Sequence, residues 1–155
     1  MKKKIFLLFT LCLLAQWSVA QAPKWVEKAK RAVFSVVTYG ENDKILNTGN
    51  GFFVTEDGIA LSDYSLFKGA QRAVVVNSAG VQMPVVSILG ANDMYDVIKF
   101  RVDISAKKVP ALNLAAVSPA VGANVYILPY STQKDRSYTC LLYTSDAADE
   151  RSSVD

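Results

Sequence analysis

Apolar and polar residues alternate in short runs along most of the chain. In the run "DVIKFRV", Ile98, Phe100 and Val102 alternate with Lys99 and Arg101. Successive side chains of a β-strand point to opposite sides of the sheet, so a period of two is typical of a half-buried antiparallel strand. The pattern therefore predicts a protein built mainly of strands.

Two turn signals separate such runs. Asp57 and Gly58 lie between "ILNTGNGFFVT" and "IALSD", and an Asn-Ser-Ala-Gly turn lies between Val74–Val76 and Val81–Ile88. An Asp-Gly pair between apolar runs is typical of a β-hairpin, because glycine tolerates a positive φ at no steric cost. Each turn predicts a pair of antiparallel strands.

One stretch of the mature chain has helical spacing. Helical spacing after Pro23 predicts a short helix over about residues 24–31, in an N-terminal segment 21–31, before a strand over about residues 33–38. The residues at this spacing are Trp25, Val26, Ala29 and Ala32 or Val33. With one more strand after Gly122, the chain has about seven short strands and one helix. This pattern is typical of an all-β sandwich or barrel.

The first twenty residues predict a secretory signal peptide. Three lysines precede an apolar run from Ile5 to Ala15, and the small residues Ser18 and Ala20 precede a cleavage point. The apolar run is shorter than the roughly 18 to 20 residues that cross a bilayer. We therefore expect a periplasmic or secreted protein, with no membrane attachment once residues 1–20 are removed.

The other end of the chain differs in composition from the body. The string "CLLYTSDAADE", Cys140 to Glu150, resembles one reading frame of a transposase-type sequencing adapter. The resemblance implies that the natural gene sequence stops near Thr139 and that residues 140–155 are a non-native tail. A polar, acidic tail is expected to be disordered on composition alone.

Composition excludes several classes of function. The chain has 17 Lys and Arg against 14 Asp and Glu, and its largest basic group lies on the predicted helix, so we expect no nucleic-acid partner. It contains no His, and its two cysteines, Cys12 and Cys140, lie in the signal peptide and the tail. Zinc and copper sites rely on His and Cys ligands, so we expect no metal and no cofactor.

The segment "GNGFFVTEDGIALSDYSLFKGA" resembles the first catalytic segment of the HtrA (Deg) type of trypsin-like serine peptidase. In that family a Gly-small-Gly-Phe strand, an Asp-Gly hairpin and a Leu-Ser or Leu-Thr step lead to Asn-His-Val-Val, an acidic residue and Gly-Ala. The residues that match in register are Gly49, Asn50, Gly51, Phe52, Asp57, Gly58, Leu61, Ser62, Gly69 and Ala70.

This resemblance implies a fold and two site positions. The fold is a six- to seven-stranded antiparallel barrel over residues 32–139, the first half of a trypsin-like double β-barrel. Ser65 occupies the place of the family's catalytic His, and Asp96, in "GANDMYDVIKFRV", occupies the place of its catalytic Asp. The family's nucleophilic Ser belongs to the second barrel, which the resemblance places beyond residue 139.

The substitution changes what the site can do. A general base must accept a proton near neutral pH, which imidazole does with a pKa of about 6.5 and a Ser hydroxyl does not. We expect Asp96 to bond Ser65 or a backbone amide, or to be only a turn residue. Asp63 or Tyr64 could take over as base; on a continuing strand, Asp63 and Ser65 would point to the same side.

Two functions remain open. In one, the protein is an exported and catalytically inactive member of this fold that binds peptides or partner proteins. In the other, it is a serine endopeptidase whose full-length form uses an atypical base. A single barrel would have no activity of its own, because trypsin-like sites form between two barrels. Substrate preference and oligomeric state are left open.

Overall fold

The structure, a computed structural model, describes residues 24–130 and 139–142. The predicted signal peptide, residues 1–20, and residues 143–155 of the predicted tail lie outside the described residues. Among the described residues, no helix is long and apolar enough to span a membrane.

The described elements are mostly strands. The helix α1 spans Lys24–Lys30, and the strands are β1 (Val33–Tyr39), β2 (Ile45–Phe53), β3 (Ile59–Asp63), β4 (Arg72–Val76), β5 (Gln82–Asn92), β6 (Val97–Val102), β7 (Asn124–Ile127) and β8 (Thr139–Leu142). Single 3-10 turns cover Glu41–Asp43 and Tyr64–Phe67. The helix ends one residue before its predicted end, where Arg31 and Ala32 bond back to Lys28 and Ala29.

Six strands form a closed antiparallel barrel in the order β1-β2-β3-β6-β5-β4. The predicted hairpins are present, with Phe53 opposite Ala60 across the Asp57-Gly58 turn and Val76 opposite Gln82 across the Asn77–Gly80 turn. The prediction of an all-β barrel with one short N-terminal helix is therefore confirmed. The barrel strands run from Val33 to Val102.

The strand predicted after Gly122 exists but lies outside the barrel. Its residues, Asn124–Ile127, pair with Thr139–Leu142 in a separate two-stranded sheet. This pairing corrects the expectation of disorder for residues 140–142, since the backbone there bonds to β7. Each barrel strand already pairs with two neighbours over at least part of its length, and β7 pairs with β8 instead.

Aromatic and β-branched side chains fill the barrel. Phe34 and Phe53 are buried with their rings edge to face, 4.6 Å apart between centroids. On β6, Ile98, Phe100 and Val102 are at most 2% exposed, as their alternation predicts. Burying such side chains contributes about 1.5–3 kcal/mol each, so this cluster accounts for much of the barrel's stability.

The helix packs with only part of its apolar set. Val26 and Ala29 are buried, but Trp25 is 52% exposed. Its ring instead meets Tyr126 of β7 edge to face at 4.9 Å. The predicted helix is therefore present with Val26 and Ala29 inside, while Trp25 packs against the strand beyond the barrel.

Gly51 lies where the barrel leaves no room for a side chain. A Cβ at this position would collide with the Phe34 ring and come within 2.8 Å of the Leu61 carbonyl oxygen. Gly51 pairs with Phe34 on one side and with Ser62 on the other. The second glycine of the family-like motif thus has a packing role.

We predict that Gly51→Ala destabilises the barrel by about 1–3 kcal/mol, because overpacking forces core side chains off their rotamers. The matched control is Gly90→Ala on β5, where a Cβ meets nothing within 4 Å. Urea denaturation followed by circular dichroism measures both variants. Equal midpoints for the two would contradict the packing role of Gly51.

Candidate functional site

Ser65 lies on the 3-10 turn Tyr64–Phe67 that follows β3. The turn is closed by a bond from the Lys68 amide to the Ser65 carbonyl. Because β3 ends at Asp63, the prediction that strand alternation points Asp63 and Ser65 to the same side is wrong. A 3-10 turn rotates successive side chains by about a third of a circle, not by half.

Buried polar groups anchor this turn to the barrel. The Thr38 hydroxyl, fully buried on β1, donates to the Leu66 carbonyl at 2.8 Å. The side-chain amide of Asn47 on β2 donates to the same carbonyl at 3.2 Å. Sequence reasoning missed both contacts, since neither residue has a motif that marks it. Together they fix the residue next to Ser65.

Asp96 is the last residue before β6 and has a φ of 50°. Non-glycine residues adopt this left-handed region rarely, with Asp and Asn among the exceptions. Its amide bonds to the Asp93 carbonyl, and the Asn92 side chain accepts the Tyr95 amide. Asp96 thus lies in a tight turn before β6, a placement that agrees with both sequence hypotheses.

The pairing of β3 with β6 brings Ser65 and Asp96 together. Asp63 lies opposite Val97 in this ladder, so the residues that follow and precede them meet at one end of the barrel. The Ser65 amide donates to Asp96 Oδ1 at 2.6 Å, and its hydroxyl donates to Oδ2 at 2.8 Å. The Tyr64 amide donates to the Asp96 carbonyl at 3.1 Å. Both carboxylate oxygens therefore bond to Ser65.

These hydrogen bonds stabilise the charged form of the Asp96 carboxylate. The Ser65 amide, and then the Ser65 hydroxyl, hold the pKa of Asp96 below its ordinary value of 3.8. The nearby charge of Lys68 acts in the same direction. Asp96 is accordingly an anion at neutral pH, and it accepts a hydrogen bond from the Ser65 hydroxyl.

A second pair lies beside the first. Lys68 donates to Asp93 Oδ1 at 2.6 Å, and its Nζ lies 5.2 Å from the centre of the Tyr64 ring. Each partner is three residues from Ser65 or Asp96 in sequence, a spacing that a tight turn brings to one side. The Asp93 carboxylate raises the pKa of Lys68. Lys68 therefore stays protonated and cannot act as a base at neutral pH.

Among the described residues, the side chain of neither proposed substitute base is hydrogen-bonded to Ser65. Asp63 is exposed at the end of β3. Tyr64 is half-buried and packs against the barrel core. No group of three His, Cys, Asp or Glu that could hold a metal ion occurs among residues 24–130. The local chemistry is thus that of a hydroxyl, two carboxylates and an ammonium.

Similarity to known proteins is found among solved structures, where many chains match. No protein-family model matches the chain, and no match was found among curated proteins. Among solved structures, the chain is similar to an HtrA-type protease, AlgW, solved as a serine-to-alanine variant with a tripeptide, at a TM-score of 0.51 and 21% identity. The match covers 58% of this chain and 28% of that chain, so this chain spans under a third of that protease's length.

At this identity the similarity concerns the fold alone. The closed six-stranded barrel is consistent with one half of a trypsin-like double barrel. The placements of Ser65 and Asp96 at the family's His and Asp positions stay predictions from the sequence resemblance. What the structure adds is that these two residues are hydrogen-bonded to each other.

We predict that Asp96→Asn lowers the melting temperature at neutral pH and that the difference from wild type shrinks in acid. Asn tolerates the positive φ, so the change removes charge without adding strain. A carboxylate whose pKa is depressed on folding stabilises the fold above its unfolded pKa, and that contribution is lost as pH falls below about 3.8 through the folded value.

Thermal melts at pH 7 and at successive steps below pH 4 measure the effect, with Asp63→Asn as the control for removing an exposed charge from the same end of the barrel. A melting difference that does not change with pH would show that the Asp96 carboxylate does not contribute through its charge.

Proposed function

We propose that the protein is an exported, catalytically inactive relative of the trypsin-like peptidases that binds polypeptide segments. The observation that carries the proposal is the bonding of Ser65 to both oxygens of Asp96, in a chain that contains no His. In the hydrolytic fold this carboxylate orients an imidazole. Here its two acceptor atoms bond to a group that cannot accept a proton at neutral pH.

The rate consequence follows from the role of the base. Removing a member of such a triad costs a factor of about 10⁴ or more, and the members act as a unit. Lys68 lies close to Ser65 and Asp96, but Asp93 raises its pKa, so its ammonium group stays protonated and cannot replace the missing base. Polypeptide binding needs no general base. A protein of this fold that has lost the base therefore keeps binding as an activity and loses hydrolysis.

Export rests on the N-terminal signal pattern. The basic start, apolar run and small residues of the first twenty positions are those of a cleaved secretory signal. The absence of Cys between residues 21 and 139 makes the barrel independent of the redox state of its compartment. A periplasmic or secreted location is thus part of the proposal.

The position of Ser65 has a direct test in Ser65→His. If this position corresponds to that of a catalytic His, Asp96 will bond the new imidazole and raise its pKa above the ordinary value of about 6.5. The chain has no other His, so a single imidazole signal in a proton NMR titration reports this site alone. In the double variant Ser65→His with Asp96→Asn, the pKa is expected to return to about 6.5.

Ser78→His, in the exposed turn between β4 and β5, is the matched control for an imidazole away from Asp96. We expect its pKa to remain at about 6.5. If the Ser65→His and Ser78→His values coincide, Ser65 does not occupy the position of a base.

Activity is tested on the protein expressed from its natural gene, in one uninterrupted reading frame. We expect wild type to bind unfolded casein without cleaving it, whereas Ser65→His gains hydrolysis if that frame encodes a Gly-x-Ser-Gly-Gly loop. Labelled casein measures both, by fluorescence anisotropy and by release of acid-soluble fragments. Hydrolysis by wild type would overturn the proposal in favour of a peptidase with an atypical base.

A further inference from the structure

The strands β4 and β5 separate part of the way along β5. Their ladder pairs Val76 with Gln82 and ends with Val74 opposite Pro84. β5 itself continues to Asn92, paired with β6 alone. Proline contributes no N–H to a ladder, which accounts for the end of the pairing at Pro84.

Two bulges carry the rest of β5 away from β4. The pairing of β5 with β6 skips one residue between Val85 and Ser87 and another between Ile88 and Gly90. A bulge bends its strand and increases the local twist. The second half of β5 therefore leaves a gap in the barrel wall beside the start of β4.

The gap is a slot of about 400 Å³. Tyr64, Phe67 and Ile98 line its inner part, and all three belong to the barrel core or pack against it. Ser87 and Ala91 of β5 lie at its exposed rim. The slot can thus accept one apolar side chain from outside.

The rim also offers backbone groups. In the part of the chain that the structure describes, no strand pairs with β5 beyond Pro84 on the side of the slot. An unpaired strand edge presents N–H and C=O groups that an extended peptide can bond, with alternate side chains entering a pocket. Because the bulges interrupt the edge, the bonded stretch has to be short.

The positive charge of Arg72 at the rim favours a peptide that contains an acidic residue. Arg72 is the charged side chain of the slot lining. Its guanidinium donates to Asp43 Oδ1 from Nη2 at 2.9 Å and from Nε at 3.2 Å, and it stacks on the Tyr39 ring at 3.9 Å. A guanidinium has five N–H donors, so the two bonds to Asp43 leave donors for a second carboxylate. Residues next to each other on a strand point to opposite sides, so an acidic neighbour of the inserted residue stays outside, at the rim.

We infer that the slot binds a short extended peptide by strand addition to β5, with an apolar side chain inserted between β4 and β5 and an adjacent carboxylate paired with Arg72. The inference rests on the proposed function and assigns the proposed polypeptide binding to this slot. It is independent of Ser65 and Asp96, which lie outside the slot lining. The occupant is a peptide of another protein, not a second copy of this chain.

The test uses the full chain and a blocked, fluorescein-labelled hexapeptide, Thr-Val-Glu-Val-Thr-Gly, in fluorescence anisotropy. We expect saturable binding that weakens about tenfold or more when both valine amides are N-methylated, since each loses a backbone hydrogen bond. Arg72→Gln should weaken binding about two- to fivefold, as for an exposed ion pair, and should not affect a Glu-to-Gln peptide.

Ala91→Trp, at the exposed rim, should abolish binding by filling the slot, and Ala79→Trp, in the exposed β4–β5 turn, is its matched control. Circular dichroism establishes that each variant folds, and the N-methylated peptide tests the mechanism without any change to the protein. Equal binding of the plain and N-methylated peptides, or unchanged binding by Ala91→Trp, overturns the inference. A dimer in sedimentation that Ala91→Trp dissociates would assign the slot to a second copy instead.

The two proposals fail separately. If wild type binds unfolded casein and Ala91→Trp binds it equally well, the proposed function stands and its placement in the slot is wrong. If wild type binds neither casein nor the hexapeptide, polypeptide binding itself is overturned.

Discussion

The double pairing of β1 is the constraint on which the rest of the structure depends. This strand bonds β2 along its length and β4 from Ser35 to Tyr39, which closes the sheet on itself. Its inward side chains, Phe34 and Val36, are fully buried against the other strands. Closure also limits the space inside, so that Gly51 opposite Phe34 has no room for a side chain.

The candidate site depends on the same closure. Thr38, at the end of β1, bonds the carbonyl of Leu66 and so fixes the turn that contains Ser65. The register of β3 with β6 then determines which residue of the neighbouring turn meets Ser65, and that residue is Asp96. At this end of the barrel the scaffold holds the Ser65 hydroxyl against the Asp96 carboxylate. In this pair Ser65 is the hydrogen-bond donor and Asp96 is the acceptor.

The barrel wall is closed along most of its strands and open at one point, where β5 separates from β4. β5 is long enough to pair with β4 at its start and with β6 over most of its length, but Pro84 and the two bulges separate it from β4. The wall is therefore continuous around the phenylalanine core and open beside Tyr64 and Phe67. The start of β5 therefore closes the barrel against β4, and the rest of β5 has a free edge at the surface.

Local chemistry explains which sequence predictions are correct. The turn at Asp57 and Gly58 depends on a positive φ at one glycine, and the burial of β6 depends on alternation within six residues, so both were readable from short stretches. The place where β3 ends was not readable, because its pairing with β6 and the bonds of Thr38 to the next turn decide it. The exposure of Trp25 depends likewise on Tyr126, about a hundred residues away in sequence.

By itself, the sequence determined the strand content, the hairpins and the absence of any imidazole, since composition and period-two patterns act over a few neighbouring residues. The tertiary structure alone decided that Ser65 bonds both oxygens of Asp96, that Lys68 is held by Asp93, and that β4 and β5 part at Pro84. Those contacts join residues ten or more positions apart. Their formation depends on the register in which the strands pair, and a shift of one residue would exchange the two sides of every strand.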